Sequence, residues 1–306
     1  MSVVPRIQGK TLFGEARWEV LTQRSNAQGA WLVLHAWLVI AAAIAVAVVW
    51  THPVTILLAI LVIGSRQLGL AILMHDAAHG LLLSNTRWND LLGQYCCAAP
   101  VGIDLHEYRR YHLKHHRFAQ QPEDPDLVLS APFPISRASL TRKMARDLTG
   151  LTFAKLRILS LLAVIVGRRT MFRSDWCLIV SHAVFAMLAA LAGAFWVYLV
   201  LWLLPMATWN MLVTRLRNIA EHACMTNEAD PWRVARTTHA SWLARVFVAP
   251  YYVNYHGEHH LFMSVPCYRL PGIHQALEDI DLTRQHDMPQ ASGYWQVLRQ
   301  VTGATA

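Results

Sequence analysis

The sequence predicts an all-α integral membrane protein: four transmembrane helices in two hairpins, under a cytoplasmic helical cap that carries a histidine-rich metal site. Three observations predict it. Hydrophobic residues make up 55% of the 306 positions and charged residues only 15%, a balance displaced from the globular range toward membrane chains. Four apolar stretches are long enough to cross a bilayer, whose hydrocarbon core of about 30 Å takes roughly 20 helical residues. Sixteen histidines are present, and most gather near the ends of those stretches.

The stretches cover residues 29–50, 54–74, 176–192 and 194–216 of what reads as one domain over 1–306. Only Thr51-His52-Pro53 separates the first two, and Pro53 suits the opening of a helix because its missing N–H would be unbonded there anyway. The last two meet around Gly193, and Pro205 predicts a kink inside the fourth. Each pair is therefore expected to form a hairpin. Lysine and arginine set the orientation: Arg66 is the one charge in a span interior, and both tight connections lack any, while four basic residues precede the first span and a dense set fills 87–173. By the positive-inside rule both termini and the central loop are cytoplasmic. Residues 158–166 are apolar but short and flanked by Arg157, Arg168 and Arg169, so they are expected to lie in the interface rather than form a fifth span. Residues 91–103 are also too short to cross and are expected to dip into the bilayer or cover the site.

The net charge of +8 would suit a nucleic-acid binder only on a soluble scaffold, and none remains once the apolar runs are set aside. Nucleic acid is therefore excluded as a partner. The five cysteines show no CxxC spacing, which argues against a disulfide framework and a zinc knuckle alike. No short apolar core with a cleavage site opens the chain, so the first run is expected to be an anchor.

Nine histidines fall in helix-spaced groups. His75 and His79 in HDAAH are four apart and share one helical face. His112, His115 and His116 in HLKHH stand at i, i+3 and i+4; His256, His259 and His260 in HGEHH repeat that spacing; and RNIAEH places Asn218 one turn before His222. Imidazole is a common donor to iron, zinc and copper. A single zinc takes about four ligands, so nine histidines exceed one such site roughly twofold, and two ions are the economical reading.

HDAAH, HLKHH and HGEHH resemble the three histidine boxes (HxxxH, HxxHH, HxxHH) of the membrane fatty acid desaturase and hydroxylase superfamily. The resemblance extends over most of the chain, through the two hairpins, DPDL after the second box and HHLFMSVPCYRLP after the third. It implies two iron ions held almost wholly by histidine, with His222 as the extra ligand between the boxes and Asn218 acting through water. It also implies dioxygen as co-substrate and a lipid or fatty acyl substrate held in an apolar tunnel. Oxidation of an unactivated C–H bond follows, most simply to an alkene; a hydroxylase, ketolase or oxidative decarboxylase on the same site is the alternative, and a zinc membrane hydrolase a distant one. The segments before the first span and after the third box are too short for a cytochrome or ferredoxin domain, so a separate ferredoxin-like or cytochrome-like electron donor is expected.

Ligating imidazoles commonly donate their second N–H to a carboxylate or carbonyl. Asp76, Glu107, Asp124, Asp126, Glu221 and Glu258 are available. Asp76, Glu221 and Glu258 lie within the boxes and are the candidates for supporting the ligands, the alternative being solvated caps or salt bridges to arginine. Arg66 either holds a polar end of the substrate, pairs with a protein acid or snorkels. His35 and His182 are expected to hydrogen-bond between helices, and His52, His106, His239, His274 and His286 to be loop or surface residues.

Overall fold

The computed structural model describes residues 3–226 and 228–303. The described residues are mostly helical, with one two-residue parallel ladder pairing Thr237 with Gln290 and Thr238 with Ala291. Four helices among the described residues are long and apolar enough to cross a membrane: Glu15–Val49, Pro53–Ala78, Arg173–Leu191 and Phe195–His222. Each reaches beyond the bounds that hydropathy alone suggests at one of its ends.

The main part of the first span, Asn26–Val49, begins where the Ser25 side chain accepts from the Gln28 N–H. The second begins with a capping box, the His52 ring accepting from Val54 N–H and Thr55 Oγ1 from His52 N–H, with Pro53 in its first turn. It is the centre of the molecule: nearly every residue from Ile63 to Ala78 is buried, against the first span, the fourth span and segment 93–98. Its small residues make this possible. A Cβ on Gly69 would lie 2.6 Å from the Tyr251 ring, and one on Gly93 would lie 2.3 Å from the Ala77 Cβ.

The third span starts against the central segment, where the Glu107 carboxylate accepts from the N–H groups of Arg173 and Ser174. An acidic side chain on free amides at a helix N-terminus is favourable in both hydrogen bonding and dipole. This helix is the least buried of the four, and Trp176, Ile179, Val180, Val184, Met187, Leu188 and Leu191 are all exposed, which suits a lipid-facing surface. The kink expected at Pro205 is displaced. A π-helical stretch, Tyr198–Leu203, precedes it, and the backbone breaks at Thr208 (φ −120°, ψ −85°) before Trp209–His222 resumes. Proline removes one N–H from the ladder, and the widened turn before it absorbs the mismatch.

Two short apolar segments take forms that the sequence did not specify. Residues 158–166 are not a separate helix; they end a longer one, Leu151–Ile165, bent by 80° from Arg137–Leu148. Its exposed Leu156, Ile158, Leu159, Leu162 and Ile165 form an apolar strip. Residues 91–103 run through Thr86–Leu92, the π-helix Gly93–Ala98 and a 3-10 turn, Ala99–Val101, packed on the second span.

Candidate metal centre

All nine histidines singled out in the sequence converge, in two groups. His75, His79, His112, His116 and His259 form one, and His115, His222, His256 and His260 the other; within each, the available nitrogens lie within 4.8 Å of one another. The helix repeat explains the division. Residues at i and i+4 point about 40° apart, whereas i+3 and i+4 differ by about 100°. The i, i+4 pair His112 and His116 therefore enters the first group while His115 turns to the second. In the third box His256 and His260 enter the second group and His259 turns to the first. The two boxes exchange one histidine each.

The remaining histidines of the two groups come from the ends of the second and fourth spans. His75 lies in the last helical turn of Pro53–Ala78 and His79 caps it. Arg109, from the same helix as the second box, donates to the carbonyls of Ala77 and Ala78 and pairs with Asp90. A guanidinium on the last carbonyls closes the helix and fixes it against the second box. His222 ends Trp209–His222, with Asn218 one turn earlier. Asn218, His115, His222 and His256 line a cavity of about 30 Å³, room for about one water.

The nitrogens meet edge to edge. His116 Nε2 is 2.9 Å from His112 Nε2 and 3.0 Å from His259 Nε2; His256 Nε2 is 2.9 Å from His222 Nε2 and 3.1 Å from His260 Nε2. Two of these rings are fixed as acceptors at Nε2, because His115 Nδ1 donates to Asp124 at 2.8 Å and His222 Nδ1 donates to the Val234 carbonyl at 3.0 Å. His75 Nε2 and His79 Nε2 are buried with no hydrogen-bond partner among the described residues. Lone pairs facing one another at such spacing repel unless a cation stands between them. Donors about 2.1 Å from a common ion and at right angles lie about 3 Å apart, so the donor set fits metal.

Burial and neighbouring imidazoles hold His112, His116, His256, His259 and His260 well below the ordinary histidine range. Burial, and next Arg109, brings His79 down to about 4. The rings are thus neutral donors at physiological pH, as ligation requires.

The carboxylates of the boxes differ in what they reach. Asp76 Oδ1 stands 3.6 Å from His75 Nδ1, and its other oxygen accepts from Cys267 N–H, tying the first box to the tail of the third. Glu221 stands 3.4 Å from His256 Nδ1 and pairs with Arg217. Glu258 instead accepts from Thr237 Oγ1 and from His274 Nδ1 at 2.6 Å. His274 is therefore not a surface residue: it is 7% exposed, and although burial lowers its pKa, Glu258 outweighs that and raises it. Its polar type and distance from the boxes concealed this. Asp124, in DPDL, is the carboxylate that grips a box histidine directly; burial pushes it up, but the bonds from His115, Gln120 N–H and Asp126 N–H hold it below the usual range.

Among the described residues Arg66 meets no acid. It donates to the Val246 carbonyl and lies 5.5 Å over the Tyr251 ring, bracing the helix Trp242–Phe247 and the turn Pro250–Tyr252 that precede the third box. His35 bonds Tyr251 and His182 bonds Tyr198. His239 bonds Gln290 and belongs to neither group.

The fold and site together are those of a protein with membrane-length helices and a polyhistidine cluster able to hold metal. The chain belongs to the fatty acid desaturase family, whose model matches residues 49–292, and it is an oxidoreductase of that type. It is 28% identical to a dihydrorhizobitoxine desaturase of Bradyrhizobium elkanii, across 72% of this chain and 66% of the relative, just under two thirds. It is 28% identical to a β-carotene ketolase of Paracoccus sp. (strain N81106 / MBIC 01143), across 79% and 86%. With a zeaxanthin 4-ketolase of Chlamydomonas reinhardtii it shares 27%, across 68% and 41%.

Proposed function

We propose that the protein oxidises an unactivated C–H bond of a lipid or fatty acyl substrate with dioxygen, most simply to an alkene, at two irons, one in each histidine group. The observation that carries this is the division of nine imidazoles into sets of five and four whose nitrogens stand about 3 Å apart at their edges. In desaturation the substrate gives up two hydrogens, dioxygen takes them with two further electrons and two protons, and two waters leave. The irons, when bound, supply the oxygen activation that no side chain can.

This chain's residues hold, orient and exclude. Asp124 and the Val234 carbonyl fix the rings of His115 and His222 with Nε2 inward, and Asp76 and Glu221 stand behind His75 and His256. Such support behind a ligand sets its tautomer and basicity. Asn218 is placed to hold a water beside His115, His222 and His256. A cavity of about 240 Å³ walled by Leu68, Ile72, Met206 and Met211 reaches His75 and Asn218; its apolar surface would align a chain and keep water out.

In this reading the four spans form two hairpins with both termini and the site on the cytoplasmic side, and a separate ferredoxin-like or cytochrome-like protein supplies the electrons. The basic outer face favours an acidic donor. Ketolation is the second reading, and the carotenoid ketolases among the relatives favour it. Purified protein should contain two irons per chain, and expression with a compatible donor should change the host's lipid profile only in air. Full turnover with zinc alone, or without oxygen, would overturn the reading.

A further inference from the structure

The bent pair Arg137–Leu148 and Leu151–Ile165 borders a cavity of about 300 Å³ whose charge is one-sided. Lys143 and Arg146 line it from the first arm, Lys155 from the second and Arg215 from the fourth span, and no acidic side chain does; its other walls are apolar apart from Thr152 and Asn218. Lys143 and Arg146, three residues apart, share one helical face. Gly150 sits in the left-handed region at φ +76°, and the 80° bend there turns the second arm so that Lys155 reaches the same cavity.

One of the four cations is matched. Asp147, 0% exposed, accepts from two guanidinium nitrogens of Arg215 and from Thr152 Oγ1 at 2.6 Å, so its charge is committed behind the wall. Among the described residues the side chains of Lys143, Arg146 and Lys155 form neither an ion pair nor a hydrogen bond. Burial, and then the guanidiniums of Arg215 and Arg146, hold the Lys143 ammonium below the ordinary lysine range, and Asp147 offsets this only in part. Like charges gathered without a counter-ion favour the entry of an anion. The rim specifies the rest of the ligand. Val128, Leu129, Leu151 and Leu156 border the cavity and are exposed, and Leu159 and Ile165 continue the apolar surface along the second arm. Basic side chains beside an apolar helical face match the phosphate level and the acyl boundary of a membrane leaflet.

We propose that this bend is a binding site for an anionic phospholipid, with Lys143, Arg146 and Lys155 around its phosphate and its acyl chains laid on the leucines of the second arm. A guanidinium grips phosphate oxygens through paired donors and an ammonium acts as a point charge, so the three together suit a phosphate group. Arg215 and Asn218 close the cavity from Trp209–His222, so the lipid rests against the helix that ends in His222. The site is independent of the oxidation proposed above, since none of its three unmatched cations belongs to either histidine group.

Equilibrium binding to the full chain in neutral detergent tests this, with dioctanoyl phosphatidylglycerol, dioctanoyl phosphatidylcholine, glycerol 3-phosphate and inorganic phosphate as probes. Phosphatidylglycerol should bind about tenfold or more tighter than phosphatidylcholine, as expected where several cations meet an anionic lipid. Both soluble phosphates should bind more weakly still, because they have no chains to lay on the leucines. Replacing Lys143, Arg146 and Lys155 together by Gln should abolish the preference for the anionic lipid, and Lys155→Gln alone should remove part of it. Replacing Arg137, Arg142 and Arg168 together by Gln takes away the same charge outside the cavity and should leave the preference intact. Equal binding of the two lipids, or equal losses in the two triple variants, would overturn the proposal in favour of diffuse surface charge. Inorganic phosphate binding as tightly as phosphatidylglycerol would overturn it in favour of a site for a soluble anion.

Discussion

At the scale of the residue, what separates one histidine from another is its context rather than its type. His222 and His239 lie seventeen positions apart in a polar stretch, yet His222 Nε2 stands 2.9 Å from His256 Nε2 while His239 is committed to Gln290. We expect His222→Ala to lose one of the two irons and nearly all turnover, as His259→Ala should lose the other, whereas His239→Ala stays within about 0.5 kcal/mol of the parent in stability. Iron content and turnover of the three variants in matched detergent check this; two irons and near-normal rates in His222→Ala would leave a centre built on the three boxes alone. Asp124→Asn tests the support behind a ligand. Losing the carboxylate on His115 Nδ1 should weaken iron binding by about 10–100-fold with little change in fold, measured by chelator competition. The histidines that converge were legible because helical spacing is written into the sequence. The true partners of the carboxylates were not: Asp124 outranks Glu258 only because DPDL turns back onto the second box, and His274 reaches Glu258 from a helix with no spacing relation to it.

At the scale of the element, hydropathy locates a span but chemistry ends it. The second span was expected to close at residue 74 and runs to Ala78, since Arg109 and the imidazoles replace lipid as the partner of its last turns. The 91–103 segment is legible as too short to cross, but its docking depends on a close approach at Gly93. A Cβ there would stand 2.3 Å from the Ala77 Cβ, two residues before His79. Gly93→Ala must therefore push the segment off the second span. It should cost about 1–3 kcal/mol, the range for overpacking a tight contact, and lower iron occupancy by displacing His75 and His79. Thermal unfolding and iron content, measured together, check both halves; an unchanged midpoint would show that the contact yields freely. The exchange of His115 and His259 between the two groups was not anticipated, though it follows from the 100° helix step once both boxes are known to be helical.

At the scale of the whole molecule, the centre is an assembly of neutral bases buried between helices that arrive from four parts of the chain, and this makes the metal-free fold sensitive to acid. His112, His116, His256, His259 and His260 are held well below the ordinary value of 6.5, and His79 falls to about 4, chiefly by burial. In the unfolded chain each would take up a proton near 6.5. Above that value both states are neutral at these residues and stability does not depend on pH through them. Below it the unfolded state binds protons that the folded state refuses, so its proton count is the larger and stability falls as pH falls. The loss continues down to the depressed folded-state values, near 4 for His79. The unfolding midpoint of metal-stripped protein should therefore be level from about pH 8 to 7 and drop steeply between about pH 6.5 and 4.5. Iron occupying the nitrogens should keep the loaded protein level further into acid, until protons compete for the ligands and the metal leaves. Thermal scans of the stripped and loaded forms across that range decide the matter. A stripped form as stable at about pH 5 as at pH 7 would mean that the rings already carry their protons, and that the two groups are solvated clusters rather than a dry site made for metal.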